Sequence, residues 1–210
     1  MKTIDLNEKK QLILANETAV SRRLARYVLD KPLPQIWMIF IPIFFVFYFS
    51  KLKQYESDLH DFSEHYLLLR CRVLDAVFNA EESRRPVAID LLVNQIVDIE
   101  ERTRPLCVKW LTVLAEHFRL LLAAHGQSYP DLVRYGYRSK IKYKAYLHQL
   151  SQDETAFNRS LLPTISGNNS ELSQITKKMA EGIKYLQNKE VEAIFSFDYT
   201  SEPSSNCVKA

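Results

Sequence analysis

Fourteen consecutive uncharged residues, Ile36, Trp37, Met38, Ile39, Phe40, Ile41, Pro42, Ile43, Phe44, Phe45, Val46, Phe47, Tyr48 and Phe49, hold five of the chain's eleven phenylalanines. A stretch this greasy needs an apolar solvent, either lipid or the protein's own interior. Lys31 lies before it and Lys51 and Lys53 after it, with Trp37 and Tyr48 near its ends, as at a membrane boundary. More than thirty charged and amphipathic residues precede the run and no small-residue cleavage site follows it, which argues against a secretory signal peptide. Counted from Leu33 to Phe49, a straight helix would reach about 25 Å, against about 30 Å of hydrocarbon. Pro42 stands near its centre, where it predicts a kink or break, so a re-entrant wedge fits as well as a short span. A buried core helix is the third placement. Arg22, Arg23, Arg26 and Lys31 on one side balance Lys51, Lys53, Arg70 and Arg72 on the other, as expected if both flanks stay cytoplasmic.

The rest of the chain reads as helical. With 210 residues, 47% hydrophobic and 25% charged, it has room for one domain and an anchor, and 4 glycines are too few for a turn-rich all-β fold. Residues 1–31 form an amphipathic N-terminal helix, 32–50 the hydrophobic membrane segment, 51–196 a cytoplasmic bundle of four to six helices, and 197–210 a tail of disordered composition. Tyr55, Leu59, Phe62, Tyr66, Leu69, Val73 and Ala76 make one stripe of a helix from Lys51 to about Asn79. Ser83 and Pro86 predict the next helix, carrying Val87, Leu91, Leu92, Ile96 and Ile99. Thr103 and Pro105 open a third, closed by Gly126, with only Lys109, Thr112, Glu116 and Arg119 as a polar strip, which marks it as central. Ser128 with Asp131, and Ser151 with Glu154, have capping-box spacing and predict two shorter helices. Leu162 to Asn169 is a loop by composition, and a last amphipathic helix spans 170–195.

Chemistry is sparse. There is no G-x-S-x-G elbow, phosphate loop or dinucleotide fingerprint, and no motif implies a cofactor, so the chain reads more as a non-enzyme than an enzyme. Cys71, Cys107 and Cys207 form no C-x-x-C pair, which points to a reducing compartment and buried inert thiols. Asp58, Asp61 and His65, separated by three and then four residues, stack on one side of a helix, and with Asp98 and Glu101 from the next helix they form the alternative reading, a divalent-metal site in a membrane-bound enzyme. No Glu-x-x-His motif supports it, and solvated charge on a helix explains the cluster more simply. Glu116 and His117 read as ordinary edge residues.

Between positions 134 and 146 five cations, Arg134, Arg138, Lys140, Lys142 and Lys144, interleave with Tyr135, Tyr137, Tyr143 and Tyr146. Phosphates and stacked bases suit such a stretch, but beside an apolar anchor anionic lipid headgroups are the more economical partner, as they are for Arg22, Arg23 and Arg26. Gly136 is expected to bend or end a helix there. The expectation is therefore an all-α, membrane-attached scaffold or adaptor with its bulk in the cytoplasm. It binds the bilayer through 36–49 and a protein partner through helix 170–195, with nucleic acid disfavoured.

Overall fold

The computed structural model describes residues 4–29, 42–96, 100–161 and 169–196, and among them it contains seven helices and no strand. They are α1 (Leu6–Val28), α2 (Pro42–Ser83), α3 (Ile89–Asn94), α4 (Arg104–Ala123), α5 (Tyr129–Tyr137), α6 (Lys140–Leu161) and α7 (Asn169–Phe195). Five long helices close a ring in the order α1, α2, α4, α6, α7 and back to α1, with α3 resting on α4 and α5 on α4, α6 and α7. Side-chain pairs fix the directions. Lys10 with Asp75, Glu17 with Arg70 and Ser21 with Ser63 make α1 and α2 antiparallel. Lys109 with Asp153 and His117 with Tyr146 do the same for α4 and α6, Lys140 with Glu192 for α6 and α7, and Asn16 with Glu190 and Tyr27 with Tyr185 for α7 and α1. One pole of the ring therefore carries the end of α1 and the beginnings of α2, α4 and α7; we call it the proximal pole.

The core follows from the apolar faces. Ile13, Val73, Leu74, Val77, Leu111, Leu114, Phe118, Leu121 and Leu132 are fully enclosed, and each buried large side chain of this kind contributes roughly 1.5–3 kcal/mol relative to exposure. The expected central helix is central: α4 touches α1, α2, α3, α5 and α6. Asp5 starts α1 with a reciprocal capping box, accepting from the Glu8 N–H while Glu8 accepts from the Asp5 N–H. Lys9, nearly buried, donates its ammonium to the Leu122 carbonyl, an orphan acceptor at the end of α4.

Four boundaries differ from the sequence reading. α2 begins at Pro42, where the missing N–H is not needed, and runs on through the expected boundary at 50 to Ser83; the N-terminal side of the expected break lies outside the described residues. Ile36 to Ile41 lie outside the described residues, as do 197–210. No helix among the described residues is long and apolar enough to cross a membrane, so the expected membrane segment is not seen as a spanning helix. The helix expected after Ser83 shrinks to six-residue α3, because the Ser83 hydroxyl donates back to the Asn79 carbonyl and Arg84 turns left-handed at φ 52°, ending α2. Ser151 starts no helix; it sits inside the continuous α6. Finally, α1 is a full member of the ring rather than a lead-in to it.

Candidate functional site

Two regions concentrate polar chemistry: a closed chamber inside the ring and an open groove on its flank. The chamber is built by all five ring helices and α5. Glu17 from α1 meets Arg70 from α2, whose Nε donates to Oε2 at 2.5 Å while Nη2 reaches Oε1 at 3.5 Å, both side chains being nearly inaccessible. Glu154 from α6 approaches Arg70 at 3.8 Å and accepts a hydrogen bond from the Tyr66 hydroxyl, and the guanidinium lies over the Tyr66 ring. Glu190 from α7 accepts from Asn16 at 3.2 Å and lies within hydrogen-bond reach of the hydroxyls of Tyr129 and Tyr143, which also lie within reach of each other. His117 from α4 shares a 2.7 Å hydrogen bond with the Tyr137 hydroxyl and stacks on Tyr146, ring centres 4.5 Å apart.

Burial sets the electrostatics. It pushes the carboxyls of Glu154 and Glu190 up, against the partial relief of Arg70 for the first and of three hydrogen bonds for the second. It pushes His117 down to about 3, with Arg70 adding to the shift, so the imidazole is neutral in the fold. Burial alone would lower Arg70, but Glu17, Tyr66 and Glu154 outweigh it and the net direction is up. The enclosed cavity measures about 40 Å³, room for a few waters and too small for a metabolite. Arg70 Nη1 and the Tyr146 hydroxyl line it without a hydrogen bond from the protein, the places where such waters would bind. Chemically the chamber is a fixed ion-pair and tyrosine network with no nucleophile and base converging on an open space.

The groove lies between α6 and α7. It encloses about 540 Å³. Leu147, Ala156, Ala180 and Val191 are its apolar lining, while Lys144, Arg159 and Lys184 supply cations and no carboxylate among the described residues lines it. Toward the proximal pole a second hollow of about 270 Å³ shares Thr155, Arg159 and Ala180 and adds Lys177 and Glu181.

The structure sorts the sequence candidates accordingly. Asp58, Asp61 and His65 do stack on α2, but all three are exposed, His65 Nδ1 bonds the Asp61 carbonyl, and Gln54 donates to Asp58. Glu101 is exposed in the turn before α4, Asp98 lies outside the described residues, and no three His, Cys, Asp or Glu side chains among the described residues are grouped to hold a metal. Among the described residues the stack is solvated charge on an exposed helix face, and the part of the metal reading that needs Asp98 lies outside them.

The basic-aromatic stretch is split by helical geometry. Tyr143 is buried and Tyr137 and Tyr146 turn into the chamber region, leaving Tyr135 as its exposed ring, so no row of tyrosines faces outward to stack on bases. Of the cations, Arg134 pairs with Asp131 and donates to the Ile194 carbonyl, Lys140 and Lys144 reach Glu192, and Arg138, left-handed at φ 59°, lies over Tyr135 and ends α5. Lys142 is exposed. Gly136 sits in the last turn of α5 because a Cβ there would come within 3.0 Å of Leu120.

Sequence reasoning missed the chamber. His117, read as an edge residue, is 3% exposed, and Glu154, read as part of a cap, is an interior carboxylate. The one signal available was the spacing of Tyr66 and Arg70 at i, i+4 on the inward stripe of α2. Cys107 is buried and its thiol is pushed up to about 11 by burial, while burial also raises the partly covered Cys71. No protein-family model matches the chain, and neither a curated protein nor a solved structure matches it.

Proposed function

We propose that this chain is a non-catalytic, membrane-attached helical scaffold: the apolar segment from Leu33 to Phe49 holds the proximal pole against a bilayer, and the bundle presents its flank to a protein partner. The observation that carries the reading is topological. Leu29, where α1 stops, and Pro42, where α2 starts, both lie toward the same pole of the ring. That is the connectivity a re-entrant attachment needs. Arg22, Arg23 and Arg26 support it: all three are exposed on the last two turns of α1, beside that pole, where each cation would gain about 1 kcal/mol at an anionic surface. The interior supports the non-catalytic half, since its ionisable groups are engaged with one another around a space that admits only water.

Flotation with vesicles tests this. The full chain is expected to rise with bilayers containing a fifth anionic lipid. Phe44→Asp/Phe47→Asp should stay at the bottom of the gradient with its helix content intact. A wild-type chain that is monodisperse without detergent and does not float would overturn the reading.

A further inference from the structure

From the groove between α6 and α7 we infer a docking site for an acidic amphipathic helix of a partner protein, an inference that rests on the scaffold reading for the role of the complex. Three observations point to that occupant. First, charge. Some cations on the bundle find acids, as Lys10 has Asp75, Lys109 has Asp153 at 2.8 Å, Arg134 has Asp131 and Lys140 has Glu192, while Arg22, Arg23 and Lys142 have no ion pair among the described residues; the groove differs in gathering its cations around one space. Along the groove Arg159 and Lys184 have no ion pair among the described residues and Lys144 has only a 3.8 Å approach to Glu192; in the adjoining hollow Lys177 is accompanied by the acid Glu181. Exposed like charges left unpaired on facing helices repel one another, and an acidic ligand relieves that repulsion.

Second, the floor. Ala156 and Ala180 are small, which lets a third helix approach the backbones of α6 and α7, and the buried Leu147 and Val191 close the bottom of the groove, so its accessible apolar floor is mainly the two alanines. Gln152, Gln187 and Asn188 add amides, able to meet the polar edge of a helix but carrying no charge. Third, length. Lys144 and Arg159 are fifteen residues apart on α6, about 22 Å along the axis, or about four turns of a docked helix. A single phosphate-bearing headgroup meets the cations at one end and leaves the others unpaired. The groove also runs along the flank of the ring from Lys144, near the far pole, toward Lys177, so a bilayer at the proximal pole does not lie along it. The partner helix would carry leucine-like side chains at i, i+3, i+4 and i+7, with Glu or Asp flanking that stripe.

The test uses the full chain in detergent and a fluorescein-labelled 18-residue peptide with that leucine stripe and flanking glutamates, followed by anisotropy. Binding at micromolar peptide is expected, at least tenfold weaker for Arg159→Glu/Lys184→Glu and for the floor-filling Ala156→Trp, and unchanged for Lys142→Glu outside the groove. Circular dichroism of each variant establishes that it is folded, since all the substituted side chains are exposed. The same peptide with lysines for glutamates should not bind. Absence of binding, equal binding of a scrambled peptide of the same composition, or undiminished binding by Arg159→Glu/Lys184→Glu would overturn the proposal. So would displacement of the peptide by anionic vesicles that bind through the same residues, which would assign the groove to lipid. Because the peptide is read in detergent and attachment by flotation, a chain that floats but ignores the peptide fails only here, and one that binds the peptide but does not float fails only the membrane reading.

Discussion

The chamber and the groove contain similar residue types under opposite constraints. In the chamber Glu17, Arg70, Glu154 and Glu190 come from four helices and are held within hydrogen-bond or ion-pair distance of partners; the first three have almost no access to water and Glu190 is partly covered. In the groove Lys144, Arg159 and Lys184 come from two helices, are exposed, and face one another across a space that no carboxylate among the described residues lines. A buried charge is tolerable only when paired, so the chamber holds the ring in one arrangement; an exposed cation has no such requirement and stays available to a ligand. On this contrast rests the proposal that one region serves integrity and the other recognition.

The largest effect should come from breaking the chamber. Arg70→Met leaves Glu17 buried without its partner and is expected to cost about 3–5 kcal/mol in urea unfolding. Adding Glu17→Gln should restore more than half of that loss, because the stranded charge goes with it; a double variant as unstable as the single one would show that the pair is not what holds α1 to α2. Next comes acid. His117 is held neutral down to about pH 3 in the fold but accepts a proton near pH 6.5 when unfolded, so the unfolded chain binds more protons between those values and stability falls as pH drops through that window. At pH 4 this amounts to about 3 kcal/mol, and His117→Phe should remove that part of the slope. Glu154 and Glu190 act in the opposite sense: their raised carboxyls favour the fold at low pH, and that contribution is lost as pH rises through their folded values. The variant therefore isolates the histidine by difference from wild type.

A smaller effect is expected at the cap of α5. The Ser128 hydroxyl accepts from the Asp131 N–H, and Ser128→Ala should cost about 1 kcal/mol in the same unfolding assay. The smallest belongs to the groove. Arg159→Glu/Lys184→Glu should shift stability by no more than about 0.5 kcal/mol, as for surface charges away from a network. A loss as large as that of Arg70→Met would dissolve the contrast between the two regions.

The sequence discloses the helices more readily than the chamber, for a physical reason. Periodicity reports which face of a helix is apolar, so α4 reads as central and α7 runs from Asn169 to Phe195 close to the expected 170–195. Ser128 caps a helix and Ser151 does not, although both have the same spacing to an acid, because Pro130 follows the first whereas the second lies among Leu147, Leu150 and Phe157, which the core draws into one continuous helix. Polar residues on an inward face look like an edge until the partners arrive from other helices. Glu17 and Arg70 are 53 positions apart, Asn16 and Glu190 are 174 apart, and nothing local announces either pair. The groove was legible in part: helix 170–195 reads as a partner surface, but that α6 faces it with unpaired cations depends on the way the ring closes.

Hydrogen exchange of the full chain, with and without the acidic peptide, tests the division between holding and receiving most directly. The account predicts slow exchange around Tyr66 to Arg70 and His117 in both states, with peptide-dependent slowing confined to 144–159 and 177–191. Slowing that instead spreads through the helices around Arg70 and His117, or fast exchange there before any peptide is added, would contradict it.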